Sequence, residues 1–197
     1  MLRHIGIIRE FGINPVVAVN RFPGDTDDEV EVVKRLALEG GAFGCEVNDG
    51  FTRGGEGGAA LAEVVTAAAD EKNDFDFVYP LDAPIEEKIE AIAKRVYGAD
   101  GVFLQPAARA KVKEFNKLGY DQMPICMAKT HLSLSHDPKL ANAPVGFTVG
   151  VRDLRAYTGA GWIVALCGDM QTMPGYGKTP AALNVDIDER GETVGLF

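Results

Sequence analysis

Along the first half of the chain, short apolar runs alternate with stretches whose apolar residues recur at helical spacing. Val16, Val17, Ala18 and Val19 form a continuous apolar, mostly β-branched run, the pattern of a strand covered on both faces in a parallel sheet. Val30, Val33, Leu36 and Ala37 then recur at helical spacing over 26–39, with Glu31, Lys34 and Arg35 on the other face, until Gly40 and Gly41 stop the helix. A second strand with its exit loop is expected over 42–48 and an alanine-rich helix over 57–71. A third strand is expected over 75–79, ending at Pro80. The helix expected over 85–97 carries Ile85, Ile89, Ile92 and Val96 along one stripe, with Glu86, Glu87, Lys88 and Lys94 outside it. Strand and helix alternating three times predict a parallel, right-handed, Rossmann-like α/β sheet.

Gly98, Asp100 and Gly101 interrupt this rhythm. Beyond them the pattern predicts a strand over 102–104, a helix over 106–118 and a strand over 125–127. Further strands are expected over 146–154 and 162–166, followed by a tail over 168–197 dense in Gly and Pro. The chain therefore divides into an α/β domain over 1–98 and a smaller α+β domain over 99–197. Leu2, Ile5 and Ile8 are spaced like the last turns of a helix feeding straight into the first strand, so the chain reads as the later part of a longer one.

Composition narrows the class. The 197 residues are 46% hydrophobic and 25% charged, a globular balance with enough chain for one large or two small domains. A formal net charge of -9 disfavours nucleic acid and acidic membrane surfaces as partners. Cys45, Cys126 and Cys167 are far apart and lie in or beside apolar runs, which reads as buried thiols in a reducing cytoplasm. The first fourteen residues lack a signal-peptide pattern, and no apolar run is long enough to span a bilayer. A cytoplasmic, soluble protein is the expectation.

Candidate chemistry gathers at strand ends, since ligands of open parallel sheets bind beyond the carboxyl ends of the strands. After the first strand come Asn20, Arg21, Phe22, Pro23 and Gly24, and then an acidic helix start. Phe22, held by Pro23, either packs under its own loop or offers an apolar plate on which a flat ring can stack. One α/β unit later, Phe51 occupies the equivalent loop and would lie on the same edge of the sheet. The run that follows, Arg53, Gly54, Gly55, Glu56, Gly57 and Gly58, is either an anion- or ligand-binding loop at a helix entry or a flexible turn that lets the helix approach the sheet. It lacks the Lys-Ser/Thr ending of a Walker A loop. Gly177, Lys178 and Thr179 have that ending, but Thr172 stands where the first glycine belongs and Pro180 where a helix should start, so they read as a turn. His131 and His136, with Asp137 beside them, fit no zinc spacing and read as solvated loop histidines; no metal site is expected. Ser133 and Ser135 lack a nucleophile elbow. Lys129, after the strand over 125–127, is either a phosphate- or carboxylate-binding ammonium or a plain surface lysine.

Taken together, these segments resemble the C-terminal part of formate–tetrahydrofolate ligase, also called formyltetrahydrofolate synthetase. The stretches that carry the resemblance are HIGIIREFGINPVVAVNRFPGDTDDE, FTRGGEGGAALA, KIEAIAKRVYGADGV, LGYDQMPICMAKTHLSLSHDP, TVGVRDLRAYTGAGWIVALCGDMQTMPGYGKTPAALNVDID and VGLF, in the family's order and over nearly the whole chain.

The resemblance implies an enzyme that uses ATP and magnesium, often with a stimulating monovalent cation, to activate formate as formyl phosphate and pass the formyl group to N10 of tetrahydrofolate. It further implies small-molecule substrates and a homo-oligomer, or a partner that supplies the N-terminal half. In the family two aromatics form a pterin wedge, and the matching positions here are Phe22, followed by Pro23, and Phe51. Arg53, Gly54, Gly55 and Gly57 match the family's Lys-Gly-Gly-Glu-Gly run and would border the nucleotide or the folate. Two departures stand out: the second aromatic is commonly Trp but is Phe51 here, and the family's Lys is Arg53. The family's ATP loop belongs to an N-terminal portion outside this sequence. The expectation is thus a chain supplying the folate side of the active site, without a catalytic base; the alternative is a non-catalytic folate-binding or assembly module.

Overall fold

A computed structural model of the chain describes residues 1–170 and 183–195. Two parallel strands, β1 (Val16–Asn20) and β2 (Gly44–Asn48), pair in register from Val16 opposite Gly44 to Asn20 opposite Asn48. The connecting helix α2 (Asp27–Glu39) starts at a capping box: the Thr26 side chain accepts from the Glu29 amide, while the Glu29 carboxylate accepts from the Thr26 amide. Lys34 on α2 meets Glu46 on β2 at 3.0 Å, clamping helix to strand. Helix α1 (Leu2–Glu10) buries Ile5 against Ala37 and Cys45. A four-residue helix α3 (Gly50–Arg53) and a 3-10 turn (Gly54–Gly58) lead into α4 (Ala59–Asp70). α4 lies very close to β2: a Cβ on Gly44 would stand 2.4 Å from Val64 Cγ1, so only glycine allows this approach.

The third strand expected over 75–79 does not form. The segment is irregular, with bends at Val78 and Tyr79, and its neighbour is the turn after α1: the Asp74 and Asp76 amides donate to the carbonyls of Gly12 and Phe11 at 3.1 and 3.2 Å. Phe75 and Phe77 stay half exposed, ring edge to ring face at 5.5 Å. β-Propensity without a strand to pair with yields an irregular strap, and the parallel sheet has two strands among the described residues.

Helix α5 (Ile85–Ala91) runs on through a π-helical turn over Ile92–Val96. Its stripe of Ile85, Ile89 and Ile92 is buried as the spacing requires, in one cluster with the second sheet. That sheet orders its strands β3 (Gly101–Leu104), β5 (Thr148–Tyr157), β6 (Trp162–Cys167) and β4 (Ile125–Ala128). β3 is parallel to β5 and β4 to β6, while β5 and β6 form an antiparallel hairpin with a register shift between Val151 and Asp153. Helix α6 (Pro106–Lys117) covers it with Ala108, Val112 and Phe115. A last, two-residue pair, β7 (Asp186–Ile187) and β8 (Thr193–Val194), is exposed. The chain is therefore mixed α/β, with parallel pairing in the β1–β2 sheet and in the four-stranded sheet. No helix among the described residues is long and apolar enough to cross a membrane.

Two side chains depart from the expected pattern. Lys88, expected outside the helix stripe, is 0% exposed. Its ammonium donates to the carbonyls of Asp121 (2.6 Å) and Met123 (3.2 Å) in the turn before β4, and burial lowers its pKa. Helical spacing sorts faces by polarity, so it misassigns a lysine whose charge is satisfied by turn carbonyls. Cys45 and Cys167 are buried as expected, but Cys126 is exposed because it lies on the opposite face of β4 from the buried Ile125.

Candidate functional site

The carboxyl ends of β1 and β2 reach the same level, and the Asn48 side-chain amide donates to the Asn20 side-chain oxygen Oδ1 at 2.9 Å across them. One step further, the Arg21 amide donates to the Asn48 carbonyl at 3.0 Å, so both exit loops leave from one fixed edge. In the first loop the Phe22 amide donates to an Asp25 carboxylate oxygen (2.8 Å) and the Asp25 amide returns a bond to the Phe22 carbonyl (3.0 Å). This reciprocal turn, with Pro23 inside it, presents the ring outward. Arg21 holds Asp27 at 2.7 Å, tying the loop to the start of α2.

In the second loop, Phe51 stands on α3. The Gly50 amide donates to the Asn48 side chain at 3.2 Å, and the Asp49 amide donates to the Gly57 carbonyl at 3.0 Å. At Gly57 a Cβ would fall 2.2 Å from the Asp49 carbonyl oxygen; the residue must be glycine for the 3-10 turn to close on the strand end. Gly54 has φ +60°, and nothing lies near a Cβ built on Gly55. Arg53 reaches Glu56 at 3.5 Å on the outside of the turn.

The two loops bring Phe22 and Phe51 together with ring centroids 5.5 Å apart and planes at 51°. Both rings remain accessible, Phe22 at 54% and Phe51 at 76%. Beside them lies a cleft of about 240 Å³ lined by Arg21, Phe22, Pro23, Asp25, Asp49 and Thr52. The rings now touch each other; a flat ring sandwiched between them needs them about 7 Å apart, twice the usual carbon–carbon contact. The arrangement can therefore stack a flat heterocycle on one ring as it stands, and between both only with the rings further apart.

Beneath the site the titrating groups secure the scaffold. The Lys34 bond lowers the Glu46 pKa and the Glu46 bond raises that of Lys34. Bonds from the Thr26 amide and hydroxyl lower the pKa of Glu29, and burial raises that of the Cys45 thiol.

The other candidates lie elsewhere. The Lys129 ammonium donates to the Thr130 carbonyl at 3.0 Å and to the Ser133 carbonyl, and stands 5.0 Å from the centre of the Tyr97 ring. Burial lowers its pKa, so it acts as an internal strut of its loop. Ser133 and Ser135 are buried and bonded to each other, with further bonds to the carbonyls of Leu140 and Asp137. His131 is exposed, but His136 is half-buried and accepts the Gly150 amide at 3.4 Å instead of standing in solvent. Among the described residues no three His, Cys, Asp or Glu side chains converge as a metal set. Gly177, Lys178 and Thr179 lie outside the described residues.

Sequence reasoning passed over Asp49 and the Asn20–Asn48 bridge. The signal was present: the same residue type ends both strands, and an aspartate follows the second directly.

The family model described as "Formate--tetrahydrofolate ligase" matches residues 1–197. Proteins of that name are similar throughout: from Desulforamulus reducens at 50% identity over 197 residues, 100% of this chain and 35% of that protein; from Saccharopolyspora erythraea at 51% over 194 residues, 98% and 34%; and from Cutibacterium acnes at 49% over 195 residues, 99% and 34%. The chain thus spans about a third of the length of these curated relatives. With a match that runs from the first residue to the last and includes both strand-end loops, the chain belongs to the formate–tetrahydrofolate ligase family.

Proposed function

We propose that this chain supplies the folate-binding side of a formate–tetrahydrofolate ligase, in which formate activated by ATP as formyl phosphate is passed to N10 of tetrahydrofolate. The observation that carries this reading is the pair Phe22 and Phe51, joined at 5.5 Å on the carboxyl edge of a parallel sheet. An apolar plate on each of two loops suits the pterin ring, with Pro23 stiffening the first. Arg53 and the turn of Gly54, Gly55 and Gly57 border the polar end of the substrates, on the same edge.

Phosphoryl chemistry belongs to the remaining portion of the longer protein. Transfer from ATP requires backbone donors, a lysine and a magnesium-holding hydroxyl around the phosphates. The described residues do not fit that set: no lysine follows Gly54–Gly58, and Gly57 is taken up by contact with Asp49. ATP, magnesium and a stimulating monovalent cation are thus bound elsewhere in the complete enzyme. In that enzyme β1 and β2 are part of a wider Rossmann-like sheet, and the region beyond Gly98 frames the cleft and builds contacts between chains of a cytoplasmic homo-oligomer.

The experiment is formate-dependent ADP release in the presence of tetrahydrofolate, run on this chain alone and again with the rest of a family protein added in trans. Turnover only after addition is expected. Robust turnover by the chain alone contradicts the division of labour, and folate binding with no turnover in either arm favours a binding module.

A further inference from the structure

Three aspartates surround the aromatic pair, and two of them are engaged. Asp25 accepts the Phe22 amide at 2.8 Å, and Asp27 is paired with Arg21 at 2.7 Å. Asp49 is different. It opens α3, yet its carboxylate caps nothing, because the Thr52 and Arg53 amides go to its own backbone carbonyl at 3.2 and 2.9 Å. Its amide is used by Gly57 at 3.0 Å, and Gly57 leaves no room for a Cβ against it. The backbone of Asp49 is thus fixed at both its polar atoms. Its side chain, half-buried in the wall of the cleft that Phe22 and Pro23 also line, makes no hydrogen bond or ion pair with any described residue.

A carboxylate held this way matches one chemical feature: two adjacent N–H donors on the edge of a flat heterocycle, which its two oxygens can accept together. A pterin has such an edge in its 2-amino group and the neighbouring ring N3–H. We propose that Asp49 accepts the 2-amino and N3–H donors of the pterin while Phe22 and Phe51 hold its faces, so that Asp49 orients the ring and selects 2-amino-4-oxo heterocycles over analogues without the amino group. This inference rests on the folate reading above and adds the residue that sets ring orientation.

The test is calorimetric titration of the chain with tetrahydrofolate and with its 2-desamino-2-methyl analogue, on the unaltered protein, Asp49→Ala, Asp49→Asn and Phe22→Ala. A charge-assisted bond lost at a desolvated edge weakens binding about 10- to 100-fold. The unaltered chain is expected to bind the analogue weaker by that factor, and Asp49→Ala to bind both ligands at the same lowered affinity. Asp49→Asn, which keeps the size but offers one acceptor, is expected to fall between. Equal loss for both ligands with the preference retained in Asp49→Ala overturns the proposal, because a structural role moves both alike. So does unchanged affinity in the Asp49 variants; if Phe22→Ala is weakened in that case, the folate reading itself stands. No binding of tetrahydrofolate to the unaltered chain overturns both.

Discussion

Around the four-stranded sheet, Ile85, Ile89, Val149, Val151 and Ile163 are wholly shielded, and α5, α6 and the β5–β6 hairpin share one continuous apolar cluster. Around β1 and β2 the buried cluster reduces to Ile5, Ala37 and Cys45, while Val32, Leu38, Phe43 and Val65 stay about half exposed. The candidate site stands on the second, thinner region. Its loops are placed by backbone and side-chain bonds at the strand ends: the Asn20–Asn48 bridge, the Asp25–Phe22 turn and the Gly57–Asp49 closure. The larger apolar cluster and the polar bonds that place the site's loops thus lie in separate parts of this chain. Substitutions should accordingly sort into those that move the unfolding midpoint and those that move ligand affinity.

The largest effect is expected from Ile89→Ala. Ile89 is 0% exposed, and truncating a fully packed isoleucine costs about 2–5 kcal/mol. Urea titration should show the loss, while tetrahydrofolate affinity measured below the transition stays within about twofold. A parallel loss of affinity would break the separation of roles.

Next comes Lys88→Met, which keeps the apolar stem but leaves the carbonyls of Asp121 and Met123 without their donor. A loss of about 1–3 kcal/mol at neutral pH is expected for such unmade bonds. The sign of the pH dependence follows from the lowered pKa. Between that lowered value and the ordinary lysine value the unfolded chain binds the proton and the folded chain does not, so stability from this group rises with pH across the window. Unfolding of the unaltered chain followed from neutral to alkaline pH should show this rise, and Lys88→Met should lack it.

In the thinner region, Thr26→Ala removes the side-chain half of the cap at the start of α2 and should cost about 1 kcal/mol. Hydrogen exchange of the α2 amides should accelerate, with those of α6 unchanged.

Much of this division was legible in the residues. The run over 16–19 announces the strand β1, although none of its residues is buried and Ala18 is exposed, so it is not covered on both faces. The apolar spacing over 26–39 announces α2, and the isoleucine stripe announces the buried face of α5. Phe22 and Phe51 stood out because they follow successive strands. The strap over 75–79 was misread because its aromatics carry β-propensity, whereas its partners, the carbonyls of Phe11 and Gly12, lie more than sixty residues away and have no local signal. Lys88 was misplaced for a like reason: what satisfies it is a turn before β4, which no spacing on its own helix encodes. Asp49 was overlooked because its significance is a bond it does not make.

Whether the aromatic pair is a ring-binding wedge placed independently of the core is decided by calorimetry of tetrahydrofolate with Phe22→Ala and Phe51→Ala. Phe51 is 76% exposed and Phe22 54%, so each variant should unfold within about 0.5 kcal/mol of the unaltered chain. Each should also bind roughly tenfold weaker, the loss of about 1 kcal/mol of ring stacking together with some buried area. Affinity unchanged in both variants would contradict the wedge, whatever their stability.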